Sequence, residues 1–280
     1  MGTLAHVSIF CFLASYLVTL GLEGVRLLKQ TMINRVFMLG FGIAGLTAHT
    51  IYLVIRSQKT NLPPLLSSSQ DWVLVLAWIT VLFYLVLTAV DRNLLVGLFL
   101  LPLVLILIGS TYFISDSPNQ IMDAEREWKL LHAALLVVGI AGVIMGIVLA
   151  MMYLFQHHRL KHKQTMKNGL KLPNLERLAR MNWWAVILAV PTLTLGMATG
   201  VGLGWHSHQG ESPISFSDPV IVGNTVGWLV MIVFFGWLLT TKRPTGKQVA
   251  WLTVWSCGFL LVTLIGFMVL SGKSLTTWHI

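Results

Sequence analysis

Residues 130–154 read LLHAALLVVGIAGVIMGIVLAMMYL, a run with no lysine, arginine or carboxylate. An α-helix crosses the roughly 30 Å hydrocarbon core of a bilayer with about 20 apolar residues, and this run exceeds that. Backbone amides in lipid must be satisfied within their own segment, and the stretch is far too long for a barrel strand, so it forms a helix. The pattern recurs along the whole chain of 280 residues, which is 56% hydrophobic and only 10% charged, against about 25% charged in soluble domains. The fold class is therefore an all-α polytopic membrane protein. Eight transmembrane helices are expected, near 5–25, 34–55, 72–90, 94–114, 130–155, 183–204, 219–240 and 249–270, making a single transmembrane domain over 1–280. The first is read as a retained span, because no positive charge precedes Arg26 as a cleavable signal would require.

Charge sorts the connections. Those after the first, third, fifth and seventh spans hold 14 of the 19 Lys and Arg, including Arg26, Lys29, Arg35, Arg92, Arg159, Lys161, Arg177, Arg180 and Lys242. The positive-inside rule then puts both termini outside, which in a bacterium is the periplasmic side of the cytoplasmic (inner) membrane. The net charge of +9 follows from this asymmetry. The basic connection 156–182 is expected to lie against anionic lipid headgroups, and nucleic acid is not an expected partner.

The histidines fall mostly on the outer side: His6, His49, His132, His206, His208 and His279, with none in the inner half of any span. His49 lies about 14 residues from the inner end of its span, about 21 Å up the core at 1.5 Å per residue. Gly42, Gly45 and His49 share one face of the second span, and His132, Gly139, Gly142, Gly146 and Ala150 share one face of the fifth. Small residues let helices approach closely in lipid, so both histidines should point into the bundle. Gly196, Gly200 and Gly204 mark a third tight contact. An ionisable residue within a span is a functional-site candidate, and imidazole is the usual protein ligand of haem iron. His49 either serves such a site or hydrogen-bonds a neighbouring helix. Cys11 and Cys257 are read as buried small residues. The sequence has no CxxC, GxSxG, HExxH or P-loop, so hydrolytic and nucleotide chemistry have no support. Pro102 and Pro191 fall within spans with no buried acid expected beside them, which argues against a permease.

Several stretches then fall in a known order. His132 opens a helix rich in small residues, followed by LKLPNLERLARMN (170–182) and LTLGMATGVGLGW (193–205). A polar loop closes on Asp218-Pro219, TTKRPTGKQVAWL (240–252) makes the next turn, and His279 comes last. Over 130–280 the chain resembles the cytochrome c assembly family of haem-handling membrane proteins, the CcmC/CcsA/HemX type, and looks like a divergent HemX-like member. The resemblance implies haem b as cofactor, His132 and His279 as paired axial ligands of its iron, and His49 as a histidine for a second or transient haem. The loop of the family is rich in tryptophan and ends WDP. Here it keeps Trp205 and Asp218, with Ser217 before the aspartate; His206 and His208 are expected to stand in for the missing aromatic residues.

The resemblance implies a role in c-type cytochrome biogenesis, with haem, membrane lipid and other maturation proteins or an apocytochrome as partners. Haem delivery rather than catalysis is expected. The alternative is a membrane scaffold or regulator of haem biosynthesis that binds a protein partner and no haem.

Overall fold

The structure is a computed structural model that describes residues 8–28, 31–90, 95–117, 126–162, 174–207, 219–242 and 244–271. Its helices are α1 (Ile9–Leu28), α2 (Met32–Thr60), the single turn α3 (Pro64–Ser67), α4 (Ser69–Val90), α5 (Gly97–Ser110), α6 (Arg126–Lys161), α7 (Leu175–Ser207), α8 (Pro219–Thr240) and α9 (Gly246–Ser271). A 3₁₀ turn, Thr111–Phe113, prolongs α5. No strand occurs among the described residues.

Seven helices are long and apolar enough to cross a membrane. The eighth expected span is α5, which has only 14 residues, or about 21 Å of helix. In contrast, α6 has 36 residues and α7 has 33, about 54 and 50 Å. Both overrun the hydrocarbon core. Arg159, Lys161, Arg177 and Arg180, expected in a loop, therefore lie on helix ends.

Two packing groups result. One holds α1, α2, α4 and α5; the other holds α6 to α9; α4 and α5 meet α6. Outward faces are apolar, as on Phe10, Leu17, Val233, Trp255 and Val262, and lipid covers such faces as readily as protein does. Cys257 is buried as expected, whereas Cys11 faces outward.

Polar networks tie the first group together. Glu23 is fully buried on α1. Tyr84 of α4 donates its hydroxyl to Glu23 Oε1 at 3.1 Å, and Arg26 donates to Oε2 at 3.3 Å. The carboxylate also faces the start of α5: a Cβ on Gly97 would lie 2.5 Å from Oε1 and 2.7 Å from the Tyr84 ring. A helix N-terminus carries partial positive charge, which favours an anion there. Here the expectation of no buried acid beside the proline-bearing spans is corrected, because buried Glu23 faces Gly97 at the start of α5, the helix that carries Pro102. Sequence spacing could not reveal it, since the partners come from three helices. At the other end of these helices, Arg56 Nε donates to both carboxylate oxygens of buried Asp71 at 3.1 Å. Ser67 donates its hydroxyl to Asp71, and the Ser68 hydroxyl accepts from the Asp71 amide at 3.0 Å, capping α4.

The second group is held mainly by close approach. A Cβ on Gly139 would lie 2.6 Å from Leu193, on Gly142 2.9 Å from Ala189, and on Gly196 2.8 Å from Leu136, so the α6–α7 seam needs glycine at each. Deeper in the bundle Asn182 of α7 donates to Thr253 Oγ1 of α9 at 3.2 Å, while its buried Oδ1 accepts no hydrogen bond among the described residues. Gly146 of α6 faces this pair with room to spare: a Cβ there would lie 3.4 Å from Thr253 Cγ2 and 3.9 Å from Asn182 Oδ1. Gly146→Ser should therefore stabilise the protein. Serine recovers about 0.5 kcal/mol of helix propensity over glycine, and its hydroxyl gives Oδ1 a donor, worth about 1 kcal/mol more. Thermal unfolding in detergent should move up for Gly146→Ser, and by about two-thirds as much for Gly146→Ala, which recovers the full propensity of about 1 kcal/mol but adds no donor. A decrease for both would show that the site has no free space.

Candidate functional site

His132 lies in the second turn of α6, against α7. Its Nδ1 is 2.8 Å from the Gly196 carbonyl oxygen and 3.3 Å from Thr199 Oγ1. A carbonyl only accepts, so Nδ1 carries the hydrogen. The Thr199 hydroxyl is itself turned to the Gly196 carbonyl at 2.7 Å, so its oxygen is free to accept from Nδ1. The neutral ring therefore holds its lone pair on Nε2, which makes no hydrogen bond among the described residues. Gly200 makes room: a Cβ there would lie 2.7 Å from His132 Cε1 and 3.2 Å from Nδ1. The four-residue glycine spacing that signalled tight packing also creates the imidazole's berth. The spacing gave no sign of Thr199 or of the Gly196 carbonyl, because a backbone oxygen has no signature in sequence.

His49 points into the bundle, as its face predicts, and is fully buried. Of the two sequence-derived options for it, the hydrogen bond to a neighbouring helix is present. Nδ1 is 3.3 Å from the Tyr16 hydroxyl of α1, the hydrogen bond to a neighbouring helix. Nε2 has no partner among the described residues. Phe12 of α1 lies parallel to the ring with centroids 4.1 Å apart, and Tyr52 meets Phe12 edge-on at 5.7 Å. Gly45 permits this closure, since a Cβ there would lie 2.6 Å from the Tyr16 ring and 3.0 Å from Ser15 Cβ. Whichever nitrogen carries the hydrogen, one ring nitrogen goes unsatisfied, a standing cost of about 1–3 kcal/mol.

The two histidines belong to different packing groups, His49 between α1 and α2 and His132 between α6 and α7. Trp205 stands near the end of α7, 73% exposed. His206 lies in the last turn of α7, its side chain outside the described residues. His208, Asp218 and His279 also lie outside the described residues. Among the described residues no group of three or more His, Cys, Asp or Glu could hold a metal ion together. Any metal bound at His132 or His49 would therefore be held by fewer than three such groups from the described residues.

Residues 66–276 match the profile of the family described as Cytochrome C assembly protein. The chain belongs to that family. It is similar to Protein HemX of Bacillus subtilis (strain 168), 24% identical over 238 residues, covering 83% of this chain and 82% of that protein. It is also similar to the cytochrome c biogenesis protein CcsA of Guillardia theta, 23% identical over 263 residues with 84% and 85% coverage. CcsA of Chlorella vulgaris gives 23% over 273 residues, with 81% and 84%. No solved structure matches. The match opens at residue 66, so it leaves out His49 but spans His132.

The donor set of this cytochrome c assembly protein fits a haem iron at both histidines. A ring whose Nδ1–H is committed to a backbone carbonyl has its tautomer and orientation fixed for ligation through Nε2. That describes His132. At His49 the fit lies only in a buried Nε2 with no partner among the described residues, since Phe12 and Tyr16 close over the ring.

Proposed function

We propose that this multi-pass membrane protein handles haem in c-type cytochrome biogenesis, holding haem b at the outer face of a bacterial cytoplasmic membrane through His132 and His279. The observation that carries the proposal is the His132 imidazole, fixed by the Gly196 carbonyl at 2.8 Å and cleared by Gly200. Bound haem would supply an iron able to accept nitrogen ligands, which His132 and His279 would provide. This chain's part is to present imidazole nitrogens to it, to orient them, and to hold the macrocycle against the loop that follows Trp205. His206, His208 and Asp218 belong to that loop in this reading, and His49 offers a second position inside the bundle. The partners are other maturation proteins and an apocytochrome, and both termini face the outer compartment. Support comes from the family and from the relatives named for cytochrome c biogenesis.

A second reading is favoured by the similarity to HemX and by a loop that keeps a single tryptophan, itself 73% exposed. The chain would then be a scaffold or regulator that binds a protein partner and no haem. The absorption spectrum of the purified protein separates the two. A reduced haem band in the wild type, lost or shifted in His132→Ala and in His279→Ala, supports haem handling. No band even after hemin is added overturns it in favour of the scaffold.

A further inference from the structure

Resting on the reading of His49 as a haem position, we infer that α1 is a gate over that histidine, closed in this structure and opening by a swing of its N-terminal half about an anchor at Glu23. His49 has no exposed surface, yet its Nε2 is unpaired among the described residues. A nitrogen kept unpaired in the bundle has a use only when something reaches it. Two of the groups that enclose the ring belong to α1: Phe12 stacked on its face and Tyr16 at its Nδ1. The Tyr16 contact is long at 3.3 Å, and the other α1 group on the ring, Phe12, is apolar.

The two ends of α1 are held by different physics. Near its C-terminal end, Glu23 is tied to Tyr84 and Arg26, and the Leu22 carbonyl accepts from Asn34 Nδ2 of α2 at 3.0 Å. Parting α1 from its neighbours here would strip the Tyr84 hydroxyl from Glu23 and turn the Glu23–Arg26 pair, both carried by α1, toward lipid, which is strongly unfavourable. Near the N-terminal end, parting α1 from α2 exchanges Phe12 contacts for lipid tails. Lipid tails are as apolar as the surfaces they replace, so no hydrophobic force opposes this exchange. The outer face of the same half, with Phe10 and Leu17, is already exposed. The helix is therefore pinned by charge at one end and held at the other only by van der Waals packing and the Tyr16 hydrogen bond, over a buried nitrogen of α2 that has no partner among the described residues.

Carbethoxylation of the full-length protein, read histidine by histidine by mass spectrometry, tests the cover. If reaction tracks the open fraction, His49 should react at least about 100-fold more slowly than exposed His158. Phe12→Ala should raise the His49 rate at least about tenfold with His158 unchanged. Gly45→Ala should do the same by a different route, because its Cβ would strike Tyr16 at 2.6 Å. A wild-type His49 that reacts as fast as His158, or a rate unchanged in both variants, overturns the cover.

The swing is tested by spin labels on native Cys11, which is exposed on α1, and on Val262→Cys, exposed on α9. Hemin should change their separation by several ångströms in the wild type and not in His49→Ala. A His49-dependent hemin spectrum with no change in separation overturns the gate. Faster carbethoxylation in both variants with no His49-dependent hemin spectrum in any protein leaves α1 as the cover and overturns the haem reading of His49 instead.

Discussion

Gly200→Ala is expected to weaken hemin binding by about 10- to 100-fold, the range typical when the group orienting a metal ligand is lost, while leaving the protein as stable as before or more so. The opposite signs are what make the result informative. A Cβ at position 200 would stand 2.7 Å from Cε1 of His132. The atom it meets is the tip of a side chain, so the ring moves and the backbone stays. The moved ring loses the Gly196 carbonyl, and Nε2 no longer points where Gly196 and Thr199 aim it. Alanine meanwhile gains about 1 kcal/mol of helix propensity over glycine. Gly202→Ala is the control: nothing lies within 4 Å of its Cβ, so it should gain helix propensity without losing affinity. A hemin titration with thermal unfolding on the three proteins decides the matter. Equal affinities for wild type and Gly200→Ala would mean that His132 does not ligate through the orientation seen here.

The largest loss of stability is expected for Glu23→Ala. Removing one partner from a buried ion pair typically costs about 3–5 kcal/mol. Glu23 is fully buried and Arg26 is 5% exposed, so the arginine would lose its carboxylate where water cannot replace it. Tyr84 would lose the acceptor of its hydroxyl as well. Tyr84→Phe removes only that hydrogen bond and should cost about 1.5–3 kcal/mol, the range for a bond to a charged group. Denaturation in mixed micelles should rank the proteins wild type, Tyr84→Phe, Glu23→Ala in falling stability. If Glu23→Ala proved as stable as wild type, the carboxylate would not be what fastens α1 to α4 and α5.

The legible part of this protein was whatever repeats along one helix. Apolar runs located the spans, and glycine spacing located the faces of α2, α6 and α7 that turn inward, with His49 and His132 on them. What stayed hidden is made between helices. Phe12 and Tyr16 read as two more apolar residues of the first span, and only the α1–α2 packing puts them on His49. Glu23 and Asp71 read as acids near span ends, and only the fold shows Tyr84, Arg56 and Ser67 converging on them. Arg26 was read as a loop charge, whereas α1 runs on to Leu28 and buries it. The length of α5 was overread because the apolar stretch continues past Ser110 into a 3₁₀ turn, which composition cannot distinguish from a helix.

The two packing groups also set an order of events during synthesis. Both carboxylate networks described above, Glu23 with Arg26 and Tyr84, and Asp71 with Arg56 and Ser67, are complete once α1 to α4 have left the ribosome. At about 5–20 residues per second, the chain from α5 onward then takes roughly ten to forty seconds to follow. The groups that lipid tolerates least can thus find one another during that interval. The later helices, fastened by glycine seams that carry no charge, can wait in the bilayer unpaired and at little risk, and dock onto α4 and α5 as they arrive.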